Sequence, residues 1–177
     1  MRPLLLLFAL LPPLSCSRGP FPGDPLDAAR RIPSGEAPSL LMDSRLTSTQ
    51  RARVAAVLAG RFREEALPWI GKALAAYPPE EWPDRHLAVR ALRSAGRAAR
   101  PLLLACLADR RDPALRAEAA RALAAFTDDP EVRKALAEAS REDPSREVRR
   151  AAAGALGLRG GGVRRGAPSR GGPHSRR

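Results

Sequence analysis

The chain is poor in the side chains that usually carry chemistry. Its 177 residues include two His, two Cys, one Tyr, two Trp and four Phe, and aromatics make up 4%. Neither His86 nor His174 has a second His or a Cys at metal-ligand spacing, so no zinc site is readable. His86 is expected to be a half-exposed helix residue rather than a general base. If Cys16 is modified or removed, Cys106 stands alone in "LLLACLAD" and no intramolecular disulfide can form. A single buried thiol there behaves as a small hydrophobe. No apolar run approaches the roughly 20 residues a membrane-crossing helix needs. The paired acids Glu64-Glu65 and Glu80-Glu81 point to different sides of a helix, which suits solvated helix starts better than acid–base work. No glycine-rich phosphate loop is present, because Gly160 to Gly162 follow a helix instead of opening one. Scarce aromatics and abundant Ala favour tightly packed helices over a β-sandwich.

What the chain has is Arg, Pro and a period. The net charge is +12, and Leu158 to Arg177 contribute six Arg and no acid. The rest of the chain is mildly basic. Leu58, Leu92, Leu123 and Leu156 each close a short Ala-rich phrase: "RVAAVL", "LAVRAL", "AEAARAL" and "AAAGAL". Second phrases lie between them: "LPWIGKALAAY", "RPLLLACLAD" and "EVRKALAEAS". The recurring unit is a helix pair of about 33 residues, the length of common helical repeats. Three pairs and a final unpaired helix are expected. Asp112-Pro113, Asp129-Pro130 and Asp143-Pro144 each place a capping carboxylate before a Pro that fits the first helical position. Thr47 with Gln50 predicts a capping box. Gly60, Gly96 and Gly157 are expected at left-handed helix ends.

"DPSREVRRAAAGALG", Asp143 to Gly157, resembles the bacterial HEAT-like repeat named after phycobilisome lyases. The matching positions are Asp143, Val148-Arg149, Ala151-Ala152 and Ala155-Leu156-Gly157. "DPALRAEAARAL" is similar, with Asp112, Leu115-Arg116 and Leu123 in the same places. The resemblance implies an all-α fold, a short α-solenoid of HEAT-like helix pairs spanning 40–157. It also implies that Arg116 and Arg149 tie adjacent repeats to a capping Asp and so act structurally. Phe126 stands where the family has Gly, so the third pair is expected to turn differently.

The two ends read differently. Met1 to Ser17 has a basic start, an apolar run from Leu4 to Leu11 and then small residues, the layout of a secretory signal. "LPPLSC" resembles the bacterial lipobox, which implies lipidation at Cys16; ordinary cleavage after Ser17 is the rival. Residues 18–39, rich in Pro, Gly and charge, are expected to form a semi-extended tether. Residues 158–177 are expected to be a disordered Gly/Arg-rich tail.

These features predict an exported, lipid-anchored, non-catalytic scaffold in the bacterial cell envelope, without cofactor or metal, that binds a protein partner. The anchor would make the membrane a second partner. Candidate contacts are polar positions on the second helices, Lys72, Arg100, Arg133 and Lys134, with the aromatics Trp69 and Trp82 near the first inter-repeat turn. Trp82 with Asp84 is similar to a pair found in some HEAT-like DNA glycosylases. Covering the open end of the array is the competing role for these aromatics. The last helix has a neighbour on one side only, which suggests self-association or docking there. Two other readings are a basic HEAT-like module binding nucleic acid and an accessory subunit or lyase of the bilin-lyase type.

Overall fold

Four helices of the protein open where a side chain closes off the free amides of a first turn. In the computed structural model, which describes residues 23–158, helix α3 (Ser48–Phe62) begins with a full capping box. The Thr47 hydroxyl accepts from the Gln50 amide at 3.2 Å, and the Thr47 amide donates to the Gln50 side chain at 3.0 Å. Helix α7 (Pro113–Leu123) begins with Asp112 accepting from the Leu115 amide, and α8 (Pro130–Glu142) with Asp129 accepting from the Glu131 amide, both at 2.9 Å. In each case Pro fills the first helical position, where its missing N–H costs nothing.

The remaining helices are α1 (Pro25–Arg31), α2 (Ala37–Leu41), α4 (Ala66–Ala76), α5 (Arg85–Ala91), α6 (Arg100–Ala108) and α9 (Arg146–Ala155). Tight 3-10 turns link several of them, and no strand occurs among the described residues. The fold class is all-α, consistent with a short HEAT-like α-solenoid. Contacts divide the chain into two units, residues 1–102 and 103–177.

In the first unit, α1 packs on α3, α3 on α5 and α2 on α4. First helices therefore stack on first helices and second on second, as repeats require. The core holds Ala29, Leu40, Leu41, Val54, Leu58, Ile70, Trp82 and Leu92. In the second unit, α9 packs on both α7 and α8, over Leu115, Leu123, Val132, Leu136 and Val148. Ala residues such as Ala119, Ala120 and Ala152 are fully buried in that unit. Their small side chains let helix backbones approach closely.

Three expectations change. Residues 24–39 are not an extended tether: they form α1, a 3-10 turn and α2, so the helical array starts before residue 40. Leu26, Ala29, Ile32 and Ala37 bury this segment against its neighbours, and the Arg61 guanidinium donates to the Ala29 carbonyl at 2.6 Å. A partial pair thus precedes the three expected. Gly60 is not a left-handed helix end, because α3 continues to Phe62 and the turn comes at Arg63 with φ 48°. Asp143 does not cap a helix. Its carboxylate is held by Arg116, and α9 starts from Ser145 instead. The third pair does turn differently, as expected: Phe126 is buried in a 3-10 turn, so the pair closes through an apolar contact rather than a left-handed Gly.

The other two glycines behave as expected. Gly96 has φ 63° and Gly157 has φ 72°. Gly157 ends α9 in a Schellman turn, with the Leu158 amide donating to the Ala153 carbonyl at 2.8 Å and the Gly157 amide to Gly154 at 3.1 Å. The expected signal segment 1–17 with Cys16, the tether residues 18–22 and the tail from residue 159 lie outside the described residues.

Candidate functional site: an arginine ladder and two grooves

The most regular feature of the molecule is a set of four arginines. Arg51, Arg85, Arg116 and Arg149 each stand seven residues before the closing Leu of a first helix. The first three are buried and Arg149 is half-buried. Each donates to a backbone carbonyl in the connection that precedes its own helix. Arg51 reaches the carbonyls of Leu41 and Asp43, and Arg85 that of Tyr77. Arg116 reaches the Asp109 carbonyl, and Arg149 those of Asp143 and Pro144. A buried guanidinium is tolerable because its fork of donors meets fixed acceptors.

Two of these arginines also grip the repeat that follows. Arg116 makes a bidentate pair with Asp143, at 2.8 and 3.1 Å, with the two side chains only 5% and 9% exposed. Burial pushes the Asp143 carboxyl up. Hydrogen bonds from Arg116 and the Ser145 amide outweigh it and, with the charges of Arg116 and Arg149, hold the group below the usual carboxylate range. Arg51 uses aromatics instead: its guanidinium lies 3.7 Å from the Tyr77 ring centroid and 5.9 Å from that of Trp82. The Tyr77 hydroxyl donates to the Met42 carbonyl at 2.8 Å, so the same aromatic also fastens the N-terminal helices.

This geometry corrects one proposed contact. Trp82 is 0% exposed and packs edge-on against Tyr77, 6.4 Å between centroids. It cannot touch a partner at the surface. Asp84 accepts from the hydroxyls of Ser48 and Thr49, so it clips the starts of α3 and α5 together rather than facing a substrate. Trp69 is half-buried against Phe62. Lys72, Arg133 and Lys134 are exposed and Arg100 is half-buried. Arg133 is spent on the Thr127 carbonyl, and Arg100 reaches the carbonyl of Arg97. His86 is half-exposed and Cys106 is buried. Glu64, Glu65, Glu80 and Glu81 are all exposed.

Two grooves in the second unit remain as places for a ligand. One, of about 370 Å³, runs between α6 and α8. Leu104, Leu107, Ala135 and Ala139 give it an apolar floor, and the exposed Arg110, Glu138 and Glu142 stand on its rim. The other lies between α7 and α9, beside Arg121, Arg146 and Arg150. Arg121 is committed there to Glu118 and Glu147, at 2.9 and 2.8 Å. Neither groove is lined by Lys72, Arg100, Arg133 or Lys134. No group of three or more metal-binding side chains occurs among the described residues.

Helix pairs with a repeated internal arginine fit one comparison. Residues 72–157 match the family model of HEAT repeats. The match supports a HEAT-like repeat protein, and HEAT repeats are generally protein-interaction scaffolds. No curated protein and no solved structure matches the chain. The matched HEAT segment holds Arg85, Arg116 and Arg149 of the ladder, and Arg51 precedes it. Sequence reasoning singled out Arg116 and Arg149 because Val or Leu stands before each. It passed over Arg51 and Arg85, which follow Gln50 and Asp84. Counting seven residues back from each closing Leu finds all four.

Proposed function

We propose that the protein is a HEAT-repeat scaffold, exported and anchored by lipid at Cys16, that binds a protein partner in the cell envelope without catalysing a reaction. The observation that supports binding is the α6/α8 groove. Its apolar floor, with Glu138 and Glu142 on the rim beside Arg110, suits a protein segment that offers an apolar side chain flanked by charged ones. The arginine ladder supports a scaffold role, since it spends the buried charges on holding repeats in register. Export and anchoring rest on the sequence from Met1 to Ser17, with "LPPLSC" before the lipidated position.

A photo-crosslinking residue at Ala139, in the groove, tests the binding in cells, with one at the exposed Arg53 of α3 as the control. The reading expects one discrete envelope protein joined at Ala139, not at Arg53, and lost when Ala135→Arg fills the groove. Equal labelling from both positions, or none from Ala139, overturns it.

A further inference from the structure

Among the described residues, Arg116 grips the repeat after its own, and Arg149, the last rung, does not. Arg116 uses Nε and Nη2 to hold Asp143, which belongs to the repeat after it. Arg149 occupies the same repeat position but spends only Nη1, on the carbonyls of Asp143 and Pro144. Its Nε and Nη2, the atoms with which Arg116 grips its carboxylate, hold no partner among the described residues.

The helix face around Arg149 is open to match. Three residues before the closing Leu, Ala55, Val89 and Ala120 are fully buried, whereas Ala153 of α9 is half-exposed. The closing residues Leu58, Leu92 and Leu123 are fully buried, whereas Leu156 is not. Leu158, just beyond, is 58% exposed, and Arg146 and Arg150 stand free on the same helix. This face has the composition of a repeat junction, and among the described residues no second half covers it.

The other half is present at the far end of the sequence. Asp24-Pro25 opens α1 as Asp143-Pro144 precedes α9. The Asp24 carboxylate accepts the amide two residues on, Leu26, at 2.9 Å, and the Asp143 carboxylate accepts that of Ser145 at 2.7 Å. Both use one oxygen, Oδ1, for that bond. In Asp143 the carboxylate is also bound by the preceding repeat's arginine. In Asp24 it is exposed, and Asp27 beside it is paired with Arg30 at 2.9 Å. Among the described residues, no helix precedes α1 to supply that arginine.

We propose that the open face of α9 takes the α1 end of a second copy of this chain, with Arg149 of one copy gripping Asp24 of the next as Arg116 grips Asp143. Ala153 and Leu156 supply the apolar contact. Such a joint is head-to-tail, so the two surfaces differ and can be broken separately.

The test is sedimentation of the mature chain over roughly 1 μM to 1 mM, the range of weak specific contacts. The wild type should gain mass with concentration and lose that gain in high salt. Arg149→Glu, broken at the tail side, and Asp24→Ser, broken at the head side, should each stay monomeric. Ser keeps the helix cap that Asp24 provides, so α1 is preserved. Mixed in equal amounts, the two variants should form a dimer and nothing larger, because one intact tail meets one intact head. If circular dichroism shows Arg149→Glu unfolded, Ala153→Arg replaces it as the tail-side variant. A wild type that is monomeric throughout overturns the proposal. So do single variants that associate like the wild type, and a mixture that stays monomeric.

Discussion

Removing the Asp143 carboxylate should unfold the second unit far more readily than any exposed charge would. Asp143→Ala leaves the Arg116 guanidinium buried with two of its donors unanswered, and it frees the Ser145 amide. Breaking one side of a buried pair typically costs about 3–5 kcal/mol, because the survivor keeps its desolvation penalty. Arg116 retains its bond to the Asp109 carbonyl, which favours the lower half of that range, about 3–4 kcal/mol. With a urea slope of about 2 kcal/mol per molar, the unfolding midpoint should fall by roughly 1.5–2 M. Far-UV circular dichroism in urea reads this directly. The paired variant Arg116→Met with Asp143→Leu should recover a large part of the loss, since apolar replacement of both partners removes the stranded charge. Arg30→Ala breaks only the exposed pair with Asp27 and should shift stability by less than about 1 kcal/mol. A loss for Asp143→Ala no larger than for Arg30→Ala would refute the idea that the ladder holds the repeats.

Other consequences are equally open to measurement. Stability should decline as pH falls below the ordinary carboxylate range. Asp43, hydrogen-bonded by Arg45, is lowered to about 2 in the folded chain, and Asp143 is lowered as well. A depressed folded pKa gives stability that is present above the unfolded value and lost on acidification through the folded one. The window for Asp43 is about pH 4 down to 2, and Asp143→Asn should flatten the urea midpoint's slope against pH. The two glycines should respond oppositely to Ala. Gly60→Ala, inside α3 with open space around a new Cβ, should stabilise by up to about 1 kcal/mol in thermal melts. Gly96→Ala, at φ 63°, should destabilise by about 1 kcal/mol or more. Trp82→Ala should cost about 3–5 kcal/mol and remove the quencher-resistant part of the fluorescence, leaving Trp69.

Much of this architecture is legible in the residues. The closing leucines and the Asp-Pro pairs carry the period, because capping and core burial are local and repeat with the fold. The N-terminal helices were hidden by their composition. Pro25, Pro33 and Pro38 with Gly23 and Gly35 suggest a tether, yet Pro25 and Pro38 sit in first turns, where Pro is favoured. Helices this short have too few turns for a periodic signal, and their apolar residues are recognised only by what they pack on. Asp143 misled for a related reason. An Asp before Pro reads as a cap, but a buried guanidinium from the preceding repeat competes for the same carboxylate, and charge-assisted bonds are the stronger. Trp82 shows the limit on contact residues, since an aromatic near a turn reads alike whether it is exposed or covered by an arginine stack. The α6/α8 groove was invisible because it joins side chains of helices that only the fold brings together.

The measurement that bears most directly on the function is the intact mass and membrane partition of the mature protein beside a Cys16→Ser variant. The account predicts a chain that begins at Cys16, carries added acyl mass and partitions with membranes, and it predicts that the variant loses both. A full-length, unprocessed chain that stays in the aqueous fraction would contradict export and anchoring.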